Sequence, residues 1–285
     1  MGEPPATAFV TGGAGLVGTP VVEMLLACGT LVTALARSDA AAAALRAAGA
    51  QVVRGDLSAP GPWARSAGEA DVVIHAGLPR MAPPVRGRHV RRLARLAAEQ
   101  AAGLADAAQG GVIVAVTCGL ADDAGPLRIA IPSRSAEDAL RGPETRVVRV
   151  PWVYGPAGVV RDMSRGVQMR RLRIVGPGTN PMPLVGARDA ADGVLAAAAA
   201  SAGTYAVREP SVPTQIALVH HLCAGRGAPR PDHAPPRLAA LSMGGVMSEA
   251  LAAFPVDSGA PPPGFACAQR WDADLLDALV PVASA

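Results

Sequence analysis

No lysine occurs anywhere in these 285 residues: all 26 basic side chains are arginine. Any mechanism that needs a lysine amine, whether as a Schiff-base nucleophile or as a cation depressing a neighbouring pKa, is therefore excluded. Aromatic residues make up only 3% of the chain, and Tyr154 and Tyr205 are its only phenols. The four cysteines, Cys28, Cys118, Cys223 and Cys267, are widely spaced. With no CxxC pair and no histidine cluster at ligand spacing, they indicate neither a zinc site nor a disulfide framework, and read as reduced thiols of a cytosolic protein. Charge of one sign is also lacking: 26 basic against 23 acidic residues leave a net +3, which gives no reason to expect nucleic acid or a membrane surface as partner. The alanine-rich run from Val194 to Ala202 is too short to span a bilayer. No basic leader precedes an apolar stretch at the N-terminus, so a cytoplasmic location and a small-molecule ligand are expected.

What is present is apolar material, half of the chain, enough for a substantial core. Over the first 150 residues short valine-rich runs alternate with alanine-rich helical stretches, the pattern of a doubly wound α/β fold, a parallel sheet covered on both faces. Strands are expected near Thr7 to Val10, Leu31 to Leu35, Gln51 to Arg54, Asp71 to His75, Val112 to Val116 and Arg146 to Val150. Helices are expected near Val17 to Ala27, Asp39 to Ala48, Val85 to Ala108 and Ala136 to Leu140. Beyond Tyr154-Gly155-Pro156 proline and glycine become frequent, and a last helical pair is expected at Gln215 to Cys223 and Arg237 to Phe254. The organisation implied is a dinucleotide-type domain over 1–156, returning at about 184–208. A smaller domain then takes 157–183 and 209–285.

Directly after the first strand comes Thr11-Gly12-Gly13-Ala14-Gly15-Leu16-Val17-Gly18, followed at once by a helix-compatible segment. Glycine at 12 permits a tight turn, glycine at 15 lets backbone approach a pyrophosphate, and glycine at 18 lets helix and strand pack closely. The helix N-terminus then offers N–H groups to the anion. At the end of the second strand, where an acidic residue would hold the ribose of NAD, the chain reads Ala36-Arg37-Ser38-Asp39. Arg37 and Ser38 suit a 2′-phosphate, which favours NADP(H) over NAD(H). The same residues also suit a solvated arginine and a helix cap.

The turn Thr11 to Gly18, with Gly55-Asp56-Leu57 and Asp71-Val72-Val73-Ile74-His75-Ala76, resembles the extended or atypical short-chain dehydrogenase/reductases, the group of sugar-nucleotide epimerases and dehydratases. Pro151-Trp152-Val153-Tyr154-Gly155-Pro156 resembles the family segment after the sixth strand, and Val185 to Ala191 around Asp189 its return to the sheet. The resemblance implies a Rossmann-type sheet with a smaller C-terminal substrate domain. It further implies that Asp56 with Leu57 sits near an adenine, that Ala76, Gly77 and Pro151 flank the cofactor, and that the chain dimerises through helices beside the fifth strand. It breaks at the family's catalytic centre, a Ser or Thr after the fifth strand plus a Tyr-x-x-x-Lys pair, where the lysine lowers the tyrosine's pKa. Anchoring on Ala136 to Leu140 puts Ile129 at the tyrosine position and Ser133 at the lysine position.

Replacement acids and bases must come from the C-terminal ends of the strands. Thr117 and Cys118 follow the fifth strand, as reacting groups or as packing against the cofactor. Tyr154 follows the sixth, as proton donor or wall. Asp122, Asp123 and Arg128 lie in the loop where the family binds substrate, orienting a polar group or simply solvated. His75 reads as a core or supporting residue; His220 and His221, adjacent on a helix, point to different faces and cannot pair on a metal. The arginines 86, 88, 91, 92 and 95 read as a solvated helix face. The leading functional expectation is an NADP(H)-dependent reductase of a carbonyl or activated double bond, protonated by water or a non-family side chain. A non-redox isomerase, cyclase, dehydratase or lyase on the same fold is the second expectation, and a cofactor-sensing protein the third.

Overall fold

A computed structural model describes residues 4–78, 81, 84–119, 127–252 and 256–279. Among these the strands are β1 (Thr7–Thr11), β2 (Leu31–Ala36), β3 (Gln51–Arg54), β4 (Val72–His75), β5 (Val112–Cys118), β6 (Thr145–Val150), β7 (Trp152–Tyr154), β8 (Ile174–Val175), β9 (Leu184–Gly186), β10 (Gly203–Ala206) and β11 (His233–Ala234). Seven of them form one sheet in the order β10-β6-β5-β4-β1-β2-β3, every pairing parallel. The valine-rich runs suit this sheet because both of its faces are covered, so side chains on each side of the pleat must be apolar. The helices are α1 (Gly18–Ala27), α2 (Asp39–Ala47), α3 (Trp63–Gly68), α4 (Gly87–Ala108), α5 (Ile131–Ala139), α6 (Val159–Gln168), α7 (Ala187–Ala198), α8 (Gln215–Gly225), α9 (Pro236–Met243), α10 (Gly245–Ala252) and α11 (Trp271–Ala278). On one face of the sheet Val10, Ile74 and Val114 pack with Val22 of α1, Leu45 of α2 and Val194 of α7. On the other, Phe9, Val73 and Ile113 meet Trp63 of α3, Leu104 of α4 and Ala136 of α5.

The sheet grows outward from β1 in both directions, with β2 and β3 on one side and β4, β5 and β6 on the other. The reversal of strand order therefore falls between β1 and β4, the place where open α/β sheets leave a crevice at their carboxyl ends. A second core lies beside the sheet, built from Trp152 and Tyr154 of β7, Met163 of α6, Leu184 of β9, Leu218 and Leu222 of α8, and Leu251 of α10.

Three expectations are corrected. The strand that rejoins the main sheet is β10 beside β6, within the expected 184–208, whereas the Val185 to Ala191 segment expected to rejoin it instead ends β9, paired with β7 in a separate two-stranded sheet, and begins α7. Helix α5 starts at Ile131, five residues ahead of the expected start, because Pro132 in its first turn presets φ and the 3₁₀ turn Arg128–Ala130 leads into it. The helix expected from Arg237 is two helices: Gly244 (φ +84) breaks it, and a Cβ there would strike the Val85 backbone. No helix among the described residues is long and apolar enough to cross a membrane.

Candidate functional site

The glycine turn lies where β1 ends at the strand-order reversal. Gly12 sits at φ +71, and a Cβ on it would come within 2.5 Å of the Ala76 carbonyl oxygen and 2.6 Å of Gly77 Cα, so only glycine fits between the turn and the end of β4. Gly18 is equally closed, since a Cβ there would collide with Gly12. Gly15 is different: a Cβ on it would touch only the Gly12 carbonyl, at 3.0 Å, and Ala14 and Gly15 are exposed. The turn is closed against the protein and open outward over the start of α1. Its N–H of Gly15 donates to the Gly12 carbonyl at 2.8 Å, and the first turn of α1 holds no acidic residue to repel an anion. Leu16 and Val17 complete the rim, both half-buried.

Beneath the turn is a clasp that the sequence did not single out. The Thr11 hydroxyl and His75 Nδ1 lie 2.7 Å apart, joining the last residues of β1 and β4, while the Ala76 N–H donates to the Thr11 carbonyl at 3.0 Å. His75 is 1% exposed and its Nε2 has no hydrogen-bond partner; desolvation lowers its pKa from 6.5 to about 4. The imidazole is neutral at pH 7 and supports the floor of the turn.

At the second strand, Arg37 is an exposed side chain 3.8 Å from the Asp56 carboxylate. The Asp56 carboxylate also accepts from the Ser58 N–H at 2.8 Å, and chiefly this bond holds its pKa below the ordinary carboxylate value. Ser38 caps α2, its hydroxyl accepting from the Ala41 N–H at 3.2 Å, and Asp39 pairs with Arg54 at 3.1 Å. Of the residues proposed for a 2′-phosphate, Arg37 keeps a reachable guanidinium, and Ser38 is engaged in the cap. Leu57 is buried against the α3 and α4 face.

Around the position that the sequence resemblance assigns to a proton relay, the side chains form a structural clasp. Ile129, which the resemblance sets at the tyrosine position, is 6% exposed in the second core. Ser133, at the lysine position, accepts from the Cys118 N–H at 3.1 Å. One turn on, Glu137 accepts the Thr117 hydroxyl at 2.6 Å and Arg149 in a two-pronged pair, Nη2 to Oε2 at 2.7 Å and Nε to Oε1 at 3.2 Å. Thr117 and Arg149 are direct partners across the β5–β6 register, so one buried carboxylate on α5 ties both strand ends together. The single proton of Thr117 is directed into Glu137, away from the strand-end crevice. Cys118 is half-buried beside the second core. Gly119 donates to the Val150 carbonyl at 2.7 Å, and a Cβ on it would press on Pro151 N at 3.2 Å, which keeps the β5 and β6 ends, with Pro151, in contact.

The remaining candidates are dispersed. Tyr154 is fully buried in the second core, and its pKa is driven up by desolvation and then by the Glu209 charge. It lines no open face. Glu209 carries the matching signature, a carboxyl raised chiefly by desolvation, beside the Tyr154 hydroxyl and with Oε2 accepting from the Trp271 N–H at 2.8 Å. Asp189 takes the Ala268 and Gln269 N–H groups, so these two carboxylates strap the segment before α11 onto β9 and α7. Arg128 pairs with Glu249 of α10 at 2.6 Å. Asp122 and Asp123 lie outside the described residues.

Residues 12–141 match a family model described as NAD(P)H-binding. A ceramide reductase of Caulobacter vibrioides is 32% identical over 152 residues, 52% of this chain and 46% of the reductase. The chain spans less than half the length of the curated relatives it matches. Among solved structures, gox2253 superposes with a TM-score of 0.76 at 17% identity, covering 96% of this chain and 97% of that one. The human epimerase family protein SDR39U1, solved with NADPH, gives 0.75 at 20% identity, covering 96% and 99%. At such identities these are likenesses of fold.

Proposed function

We propose that this chain, which has the NAD(P)-binding Rossmann fold of epimerase-like short-chain dehydrogenases, is an NADP(H)-dependent reductase of a small organic carbonyl or activated double bond. The observation that carries the reading is the glycine turn, closed inward at Gly12 and Gly18 and open outward at Gly15 at the strand-order reversal. Such a cradle, after a strand and ahead of a helix, suits a pyrophosphate. Gly13, Ala14, Leu16 and Val17 would line it, Asp56 would face the adenine side, Ala76, Gly77 and Pro151 would flank the far half, and Arg37 would pair with a 2′-phosphate.

When bound, the nicotinamide supplies a hydride. What the chain's own residues contribute is position. Glu137 holds Thr117 and Arg149, Ser133 holds Cys118, and together they fix the β5 and β6 ends that border the crevice. The Thr117 oxygen keeps lone pairs to accept a hydrogen bond, but donating one requires breaking its bond to Glu137. The proton therefore comes from solvent or from a group outside this clasp, which suits an acceptor that needs little acid assistance. The same lack of a directed acid among the described residues favours the second reading, a non-redox isomerase, cyclase, dehydratase or lyase with the nucleotide structural or absent.

The test is equilibrium binding of NADPH, NADP⁺, NADH and NAD⁺ followed by fluorescence, with Gly15→Asp and Arg37→Glu as variants. NADPH is expected to bind at least about tenfold more tightly than NADH, a difference of about 1.4 kcal/mol. Gly15→Asp abolishes binding of both, and Arg37→Glu erases the preference alone. Failure of all four nucleotides to bind overturns the redox reading, and turn-independent binding overturns the site.

A further inference from the structure

We infer that the second core holds a separate binding site for an anionic amphiphile, an apolar chain ending in a carboxylate or phosphate. Two adjoining cavities share Leu172 and Arg173. The larger, about 300 Å³, is lined mainly by apolar side chains, among them Met163, Val219, Ala239, Met243 and Leu251. The smaller, about 170 Å³, is lined by Arg170, Arg173 and Arg230. An apolar chamber opening into a cluster of guanidinium groups is the arrangement that suits a chain with a charged head.

Charge decides the head group's sign. With Arg171 on the larger cavity, four guanidinium groups face one carboxylate, that of Asp232, which is 87% exposed and 3.9 Å from Arg173. An exposed pair at that distance neutralises little. Arg230 also acts on the neighbouring helix α8: burial first and then its positive charge lower the His220 pKa, and the same charge opposes the rise that burial imposes on the Cys223 thiol. Gln215, 2% exposed and with its Oε1 unpartnered, is a fixed polar point among the apolar walls, which Arg171, Arg173 and Ser242 complete. The mouth is apolar too, since Leu238 on α9 lines the cavity while remaining 60% exposed. None of the lining residues belongs to the glycine turn or to the strand ends of the seven-stranded sheet, so the site is independent of the nucleotide reading.

Decanoate is the probe, titrated calorimetrically into the whole chain, with inorganic phosphate and 1-decanol as comparison arms. Decanoate is expected to bind one to one. Decanol should bind at least about tenfold more weakly for want of a charge, and phosphate should not bind measurably for want of a chain. Arg173→Glu and Ser242→Trp, the second placed at the exposed rim, are each expected to weaken decanoate at least about tenfold while leaving far-UV dichroism unchanged. Absence of decanoate binding, decanoate binding that neither variant weakens, or phosphate binding as tightly as decanoate overturns the proposal.

Discussion

His75 should impose a pH dependence on stability that a single substitution removes. Its folded pKa, about 4, lies below the unfolded value of 6.5. Between the two the unfolded chain binds a proton that the folded chain refuses, so stability falls as pH falls through this window and is level above about 6.5. For one such group the linkage relation gives a loss of about 2.5 kcal/mol between pH 7.5 and pH 4.5. Other groups act in the same range. Glu209 and Asp192 have raised carboxyl pKa values and contribute with the opposite sign, while Asp56, Asp71 and Asp272 have lowered values and act below about pH 4. Comparison with His75→Asn, which keeps an amide near the Thr11 hydroxyl and titrates nowhere in the window, cancels them. Urea unfolding of both proteins at pH 7.5, 6.0 and 4.5 would give the difference curve. A stability gap between wild type and variant that shifts by about 2.5 kcal/mol across the series supports the buried neutral imidazole. A gap constant within about 0.5 kcal/mol refutes it, whatever the absolute stabilities.

Gly12→Ala places a Cβ in a left-handed backbone position, 2.5 Å from the Ala76 carbonyl oxygen. The combined strain and overpacking should cost about 3 kcal/mol in urea unfolding and abolish nucleotide binding. Glu137→Leu leaves Arg149, only 17% exposed at its side chain, without its carboxylate; a loss of about 3 kcal/mol is expected, with a smaller loss in an Arg149→Leu, Glu137→Leu double variant. Gly244→Val drives a side chain into the Val85 backbone and should lower the urea midpoint by an amount equivalent to at least about 3 kcal/mol, against about 1 kcal/mol for Gly227→Ala, where a Cβ meets open space and only the backbone conformation opposes it. The left-handed φ of +60 at Gly227 keeps that control from being fully neutral.

Much of the sheet was legible because a parallel strand covered on both faces must read as a short valine-rich run, and β1 to β6 do. The glycine turn was legible for a related reason: a backbone that passes within contact distance of another backbone tolerates no Cβ, and the sequence records that at 12 and 18. Helix α6 escaped notice because its ten residues, interrupted by Gly166, pack against a core that is assembled from distant segments, and no local window shows that core. The break at Gly244 was invisible for the same reason, since the constraint is the Val85 backbone. At the site, Ser133 was in view only at the lysine position, ahead of the expected helix that held Glu137, and Arg149 as a charge inside an expected strand. A buried arginine between apolar neighbours signals a buried carboxylate somewhere, but only the fold says which. Tyr154 misled because its place after β6 suggests the crevice, whereas β7 turns its ring into the second core.

Val85 donates to the Met243 carbonyl at 2.9 Å and accepts from the Val246 N–H at 3.3 Å, so one residue ahead of α4 is gripped on both sides by the joint between α9 and α10. This closure has a bearing on biosynthesis. Val85, Val90 and Ile129 emerge from the ribosome long before the residues that cover them, and contacts of such sequence separation form slowly. The nucleotide turn, by contrast, needs only β1, α1 and the end of β4. By sequence separation alone, the glycine turn can close before the second core, whose covering helices α9 and α10 come last of its parts but α11.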